Sequence, residues 1–374
     1  MLLAAPPRPP ITAAGPAPRP FARLRHLGPN WYAAVMGTAV LAPAGAALPA
    51  RPPHLTVVLT TAWALSLLAL AALLTARVAH RRHHRDQASA HLRDPAAAPF
   101  LGCLPMALLA VAGGTLTVGS PVVGHRAAVA LGAALWTVGT VLALSVAVAV
   151  PYAMATRMRV RREEVTPVWL LPVVAPMVSA AVGPALAPEL PAGTWQRALL
   201  WTCVGAAALS LTGTLLVLLP LLGRLAKGTP LPPALAPSLF LVLGPLGQST
   251  TATGRFADLA PGAVGATAAA RFDTLAVAYG IPVTAAALGW LLGAAARVVR
   301  ARRDGAGFAM TWWAFTFPVG TCVTGAAGLA RHTGLPALGW IATALFAGLV
   351  AAWTVVAALT VRGLHRGTLL PATG

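Results

Sequence analysis

The chain has 374 residues, of which 57% are hydrophobic and 9% charged, with a formal net charge of +19 and a mean hydropathy of +0.75. Soluble globular domains carry about 25% charged residues, so a water-soluble fold is excluded. The charge invites a nucleic-acid reading, which the placement of the charges removes.

In chain order, residues 1–26 open with MLLAAPPRPPITAAGPAPRP, whose prolines interrupt any apolar signal core. The segment reads as a disordered cytoplasmic tail. Crossing roughly 30 Å of hydrocarbon takes about 20 helical residues. Ten apolar runs approach or exceed that length, at 30–48, 55–76, 98–118, 127–150, 167–187, 196–222, 235–252, 268–296, 309–330 and 336–361. The predicted fold is therefore an all-α polytopic membrane protein, with a transmembrane domain over 27–361 and a short cytoplasmic tail over 362–374.

Of the 27 Lys and Arg, 21 lie in the N-terminal tail or in the segments after the second, fourth, sixth, eighth and tenth spans. The intervening loops hold the other six, Arg51, Arg126, Arg197, Arg255, Arg271 and Arg331. This alternation is the positive-inside pattern, and it places both termini in the cytoplasm. The densest runs, HRRHHR at 80–85 and RMRVRREE at 157–164, read as short loops on anionic lipid rather than metal or nucleic-acid sites.

A repeat appears in the helix breakers. Gly37, Pro105, Pro176, Pro245 and Pro318 sit near the middles of the odd spans, at separations of 68, 71, 69 and 73 residues. Aromatic residues lie five to seven positions before each of them. The even spans are richer in uninterrupted Ala, Leu and Val, although Pro282 interrupts the eighth. The pattern predicts five two-helix hairpins of like orientation around an axis along the membrane normal. Broken backbone facing lipid leaves carbonyls without partners, so the odd helices belong inside. The pore-lining and kink positions expected on this basis are Gly37, Thr38, Pro105, Pro176, Gly244, Pro245, Gln248, Pro318 and Thr321. For any single threonine the competing role is a hydrogen bond back to its own helix.

The eight carboxylates and nine histidines all fall in predicted loops or at span ends. A proton- or sodium-coupled pump keeps an ionisable group at depth, and none is predicted. Phosphate loops, HExxH pairs and GxSxG elbows are missing from the sequence, so no enzyme activity is expected. Cys103, Cys203 and Cys322 lie singly in apolar spans, which supports neither disulfide, metal site nor cofactor.

GPNWYAAVMGTAVLA, LPMALL, TPVWLLPVVAPM, PSLFLVLGPLGQ and WWAFTFPVGT resemble the odd-helix signatures of the tellurite-resistance/dicarboxylate transporter family. That family includes plant slow anion channels and fungal malate and sulfite carriers. The resemblance spans about residues 27 to 361. It implies ten helices with quasi-five-fold symmetry, a homotrimer with one pore per subunit, and a pore plugged by a phenylalanine of the ninth helix. The matching position is Phe317, with Phe315 as the other candidate. Two residues apart, these rings cannot share one helical face.

Two functions stand open: a gated channel for small inorganic or organic anions, or a carrier. The carrier would be proton-coupled for C4-dicarboxylates such as malate, or would export sulfite or tellurite-related oxyanions. The expected partners are a small anion, the lipid bilayer and two further copies of the chain, with no nucleic acid. The expected location is the plasma membrane.

Overall fold

Apolar runs this long must satisfy their backbone internally, and helices are how a single segment does so. The computed structural model describes residues 22–161, 164–228 and 231–370. The tail expected over 1–26 lies outside the described residues up to position 21, as does Glu163 of the basic loop. Among the described residues every regular element is helical.

We label the principal segments in chain order. Segment α1 is Tyr32–Ala39, carried on by Leu41–Ala46. Next come α2 (Pro53–His83), α3 (Ala98–Val123), α4 (His125–Thr156), α5 (Pro167–Glu189) and α6 (Thr194–Ala226). Then α7 (Leu243–Ala263) comes after a 3-10 helix over Pro233–Val242. The chain ends with α8 (Ala266–Arg303), α9 (Met310–Thr333) and α10 (Pro336–His365). Eight of these, all but α1 and α7, are individually long and apolar enough to cross a membrane.

Burial separates them into two sets. The most apolar stretches of α3, α5 and α9 are 78%, 89% and 83% buried, whereas those of α2, α4, α6, α8 and α10 are 17–28% buried. Leu68, Val141, Leu216, Leu292 and Val361 on the second set are more than half exposed. Side chains of that kind suit contact with lipid tails. Polar groups of the outer set fasten it to the inner one. Trp63 of α2 donates to Thr115 of α3 at 2.9 Å, and Trp136 of α4 donates to the Ser179 carbonyl of α5 at 3.0 Å. Ser210 of α6 donates to the Val173 carbonyl at 2.7 Å, Tyr279 of α8 to Ser249 at 2.9 Å, and Trp353 of α10 to Thr38 at 3.0 Å. Such bonds between membrane helices contribute about 0.6–2 kcal/mol each.

The breakers work differently from the expected mid-helix kink. Each inner segment is entered through a 3-10 turn, at Pro29–Trp31, Ala98–Gly102, Pro167–Trp169, Pro233–Val242 and Met310–Phe315. Pro105, Pro245 and Pro318 then fall in the first turn of the α-helical stretch. A proline there has a fixed φ that suits the opening turn of an α-helical stretch. Only Pro176 lies well inside its helix. Outer helices carry internal prolines more often than expected. Pro151 lies inside α4, which runs on past residue 150, and Pro220 inside α6.

Close approach of inner segments depends on glycine. A Cβ added to Gly102 would sit 2.5 Å from the Leu171 carbonyl group and 2.6 Å from the Pro172 nitrogen. Backbone cannot swing aside as a side chain can, so Gly102→Ala should cost about 1–3 kcal/mol, the usual range for overpacking. A thermal melt of the purified protein should fall accordingly, and an unchanged melt would refute this packing.

The basic segments meet at one end of the molecule. There Arg77 donates to the Leu27 carbonyl at 2.7 Å and His80 Nδ1 lies 2.7 Å from the Leu24 carbonyl, drawing the entry of the chain onto the end of α2. His80 is fully buried, with the ring of His91 stacked 5.8 Å away. HRRHHR thus ends α2 with His80 packed inward, while Arg81, Arg82 and Arg85 stay exposed. Burial, then the neighbouring Arg77 and His80, hold the His91 imidazole below its ordinary range, so it stays neutral at neutral pH.

Candidate functional site

The inner segments converge on an almost closed axis. A void of about 20 Å³ is lined by Met36 of α1, Met106 of α3, Leu171 and Val174 of α5, Leu241 and Gly244 from the α7 region, and Phe317 and Pro318 of α9. Nearer the basic end, a second void of about 20 Å³ again takes lining from all five inner segments. Met36, Leu171, Leu241 and Pro318 border both. Each void has room for roughly one water molecule; the second has Ser238 and Thr311 in its lining, whereas the side chains lining the void at Phe317 are all apolar. An ion stripped of its hydration there would find nothing in exchange.

Toward the opposite end, a cavity of about 770 Å³ opens between the ends of α1, α3, α7 and α9 and the start of α10. Its lining includes Arg51, Thr117, Arg255, Asp258, Arg331 and Trp340. From Gly244 to Arg255 is 11 residues along α7, or about 16 Å at 1.5 Å per residue. The tight apolar constriction and this wide charged cavity are thus two separate spaces that share helices α1, α3, α7 and α9 but no lining residue.

Of the expected residues, Phe317, Gly244 and Pro318 come together at the constriction. Phe317 is 3% exposed. Phe315 is half-buried and packs edge-to-face against Phe240 at 4.7 Å and Trp312 at 5.5 Å, away from that void. Gln248 lies four residues beyond Gly244, on the same stripe of α7. It is buried, and its side chain makes no hydrogen bond to the described residues.

The remaining expected positions serve packing. Gly37 abuts Thr316 and Trp313, where a Cβ would collide with both. Thr38 donates to the Ala34 carbonyl at 2.8 Å and accepts from Trp353, which turns it toward α10. Thr321 donates to the Pro318 carbonyl at 2.7 Å and lies against Gly247, inside the contact between α7 and α9. Pro105, Pro176 and Pro245 are buried but border neither void.

Sequence reasoning missed the apolar lining, Met36, Met106, Val174 and Leu241. A signal existed: Met36, Met106, Gly244 and Phe317 are each immediate neighbours of a breaker, and Val174 is two residues from one. It also placed Arg255, Asp258 and Arg331 in loops, whereas α7 and α9 extend far enough to carry them.

Helices long enough to span a membrane, wrapped around an apolar constriction with a charged vestibule, define a multi-pass membrane protein built to pass a small solute. Residues 26–361 match the family model described as voltage-dependent anion channel, and the chain belongs to that family. It is 27% identical to a sulfite efflux pump of Trichophyton rubrum and 28% identical to one of Arthroderma otae, each over 90% of this chain and 91% of the relative. It is also 24% identical to an uncharacterized transporter of Methanocaldococcus jannaschii, over 80% of this chain and 82% of that one. The family is one of anion channels and transporters, not of enzymes.

Proposed function

We propose that the chain crosses the plasma membrane ten times, as five hairpins with quasi-five-fold symmetry, and passes small inorganic or organic anions along the central axis. The carrying observation is the void at Phe317, to which all five inner segments contribute. The repeated 3-10 entries at equivalent places support the hairpin repeat. Residues 27–361 form the transport domain, with 1–26 and 362–374 as cytoplasmic tails, an orientation supported by the distribution of Lys and Arg. A homotrimer with one pore per subunit rests on the family resemblance.

In this reading Phe317 is the gate. Its ring fills the constriction and keeps it dry, which stops ions by occlusion and by denying them hydration. Phe315 is the weaker candidate because its partners are Phe240 and Trp312.

A second reading is favoured by the sulfite efflux pumps among the relatives: export of sulfite or a related oxyanion. A proton-coupled carrier for malate-like C4-dicarboxylates belongs to the same alternative. Reconstituted proteoliposomes separate these. A channel should pass chloride and sulfite down their gradients without any imposed pH gradient. Sulfite flux without chloride flux would favour the exporter, and malate uptake only under a pH gradient the coupled carrier. Vesicles silent to all three would sink the anion-transport proposal.

A further inference from the structure

The positive-inside pattern depletes Lys and Arg from one side of the molecule, leaving six there. Three of those six, Arg51, Arg255 and Arg331, line the vestibule of about 770 Å³. Topology explains why such residues are scarce on that side; it does not explain why half of them gather around one cavity.

Their counter-charge is incomplete. Among the described residues Asp258 is the one carboxylate in the lining, so the cavity keeps a formal excess of two positive charges. Arg255 Nη1 and Arg331 Nη2 approach the same Asp258 oxygen at 3.9 and 3.8 Å, beyond hydrogen-bond length. The other Asp258 oxygen lies 3.4 Å from His332 Nε2, and His332 Nδ1 is 2.8 Å from Asp273. The Arg331 side chain makes a long 3.5 Å contact to the Ala327 carbonyl, and the Arg255 side chain makes no hydrogen bond to the described residues. Two guanidinium groups on adjacent inner helices thus face one shared carboxylate with most of their N–H donors unengaged. Asp258 and solvent offset part of the repulsion between these like charges, the two side chains being 40% and 49% exposed, and a bound anion would offset more of it.

We propose that Arg255 and Arg331 form an anion-binding site at the vestibule, selective for small oxyanions over halides, with Asp258 limiting its affinity. A guanidinium offers a planar fork of donors that matches two oxygens at once, a geometry a spherical halide cannot use. Arg51, exposed on the loop after α1, adds attraction at the rim. The site collects the anion at the wide end of the route, about 16 Å from Gly244 at 1.5 Å per residue, and Asp258 keeps it loose enough to leave. Its purpose rests on the anion-transport reading; its binding chemistry does not.

The test is calorimetric titration of the purified full chain with sulfite and with chloride, at constant ionic strength and a pH where sulfite is doubly charged. Arg255→Gln and Arg331→Gln should each weaken sulfite binding about tenfold or more, the scale of one lost charged hydrogen bond. Chloride should bind more weakly than sulfite and respond less to either change. Asp258→Asn should tighten sulfite several-fold, a gain that simple damage to the fold cannot produce. Wild-type sulfite affinity in the Arg255→Gln, Arg331→Gln double variant, or no sulfite binding by the wild type, would overturn the site. Sulfite binding that the arginine variants lose, in a protein with no vesicle flux, would keep the site and discard the transport reading. Flux without arginine-dependent binding would do the reverse.

Discussion

Phe317→Ala should turn a nearly silent protein into an open anion pathway, with currents in planar bilayers at least about tenfold above wild type. The ring is 3% exposed and borders the central void with residues from the other four inner segments, so cutting it back to a methyl widens that void. Each 1.4 kcal/mol taken from the crossing barrier is worth about tenfold in rate, and readmitting water to a dry constriction removes at least that much. A buried phenylalanine cut to alanine also costs about 3–5 kcal/mol of stability in soluble cores, so currents must be normalised to folded protein. Phe317→Leu should lie between the two. Phe315→Ala supplies the contrast. It loses edge-to-face contacts with Phe240 and Trp312, worth about 0.5–1.5 kcal/mol each, and should lower the melting temperature while leaving the pore shut. Large currents from Phe315→Ala and none from folded Phe317→Ala would exchange the two roles.

The division into inner and outer helices was legible in the sequence because alternate spans differ in their helix breakers. Breakers recur at near-constant spacing on alternate spans, which marks the inner set even though α4, α6 and α8 also carry prolines. Basic residues on one side of a bilayer fix the count and direction of crossings. The faces of the inner helices were not legible, and Thr38 and Thr321 illustrate why. Segments such as Cys103–Gly114 and Leu170–Val182 are apolar all round, so no stripe marks which side meets the axis. The 3-10 entries add a second obstacle. At 3.0 residues per turn instead of 3.6, they shift the angular phase before the α-helix starts, so counting residues from the aromatic cluster assigns the helical positions to the wrong face. The hydroxyls bond back to their own helices or to the outer ring, and the axis is left to methionine, leucine, valine and phenylalanine. Arg255 was missed for a different reason. Hydropathy ends the seventh span near residue 252, but α7 continues to Ala263, because a helix facing a vestibule does not need apolar residues to persist.

Two glycines a single turn apart on α7 give the last prediction, since the geometry assigns them opposite tolerances. At Gly247 a Cβ would lie 2.5 Å from the Cys322 nitrogen and 2.6 Å from the Thr321 carbonyl carbon. Gly247→Ala must therefore push α7 and α9 apart, and should lower stability by about 1–3 kcal/mol. At Gly244 the nearest atom to an added Cβ is Val174 Cγ1 at 4.0 Å, and the direction leads into the void beside Phe317. A single methyl fits there, so Gly244→Ala should fold as well as wild type, whereas the larger Gly244→Val needs the room that Phe317→Ala frees. Placed in the open Phe317→Ala background, it should bring bulk back into the bore and return the current most of the way to the wild-type level. A melting curve and a bilayer recording of the double variant decide the matter together. If Phe317→Ala conducts and Gly244→Val, folded normally, fails to reduce that current, anions are not passing beside Gly244, and the void lies off the conduction path. If the current collapses while the melt is unchanged, occlusion of this one constriction is what separates the closed protein from the open one, and the phenylalanine is needed for its volume rather than for any chemistry of its ring.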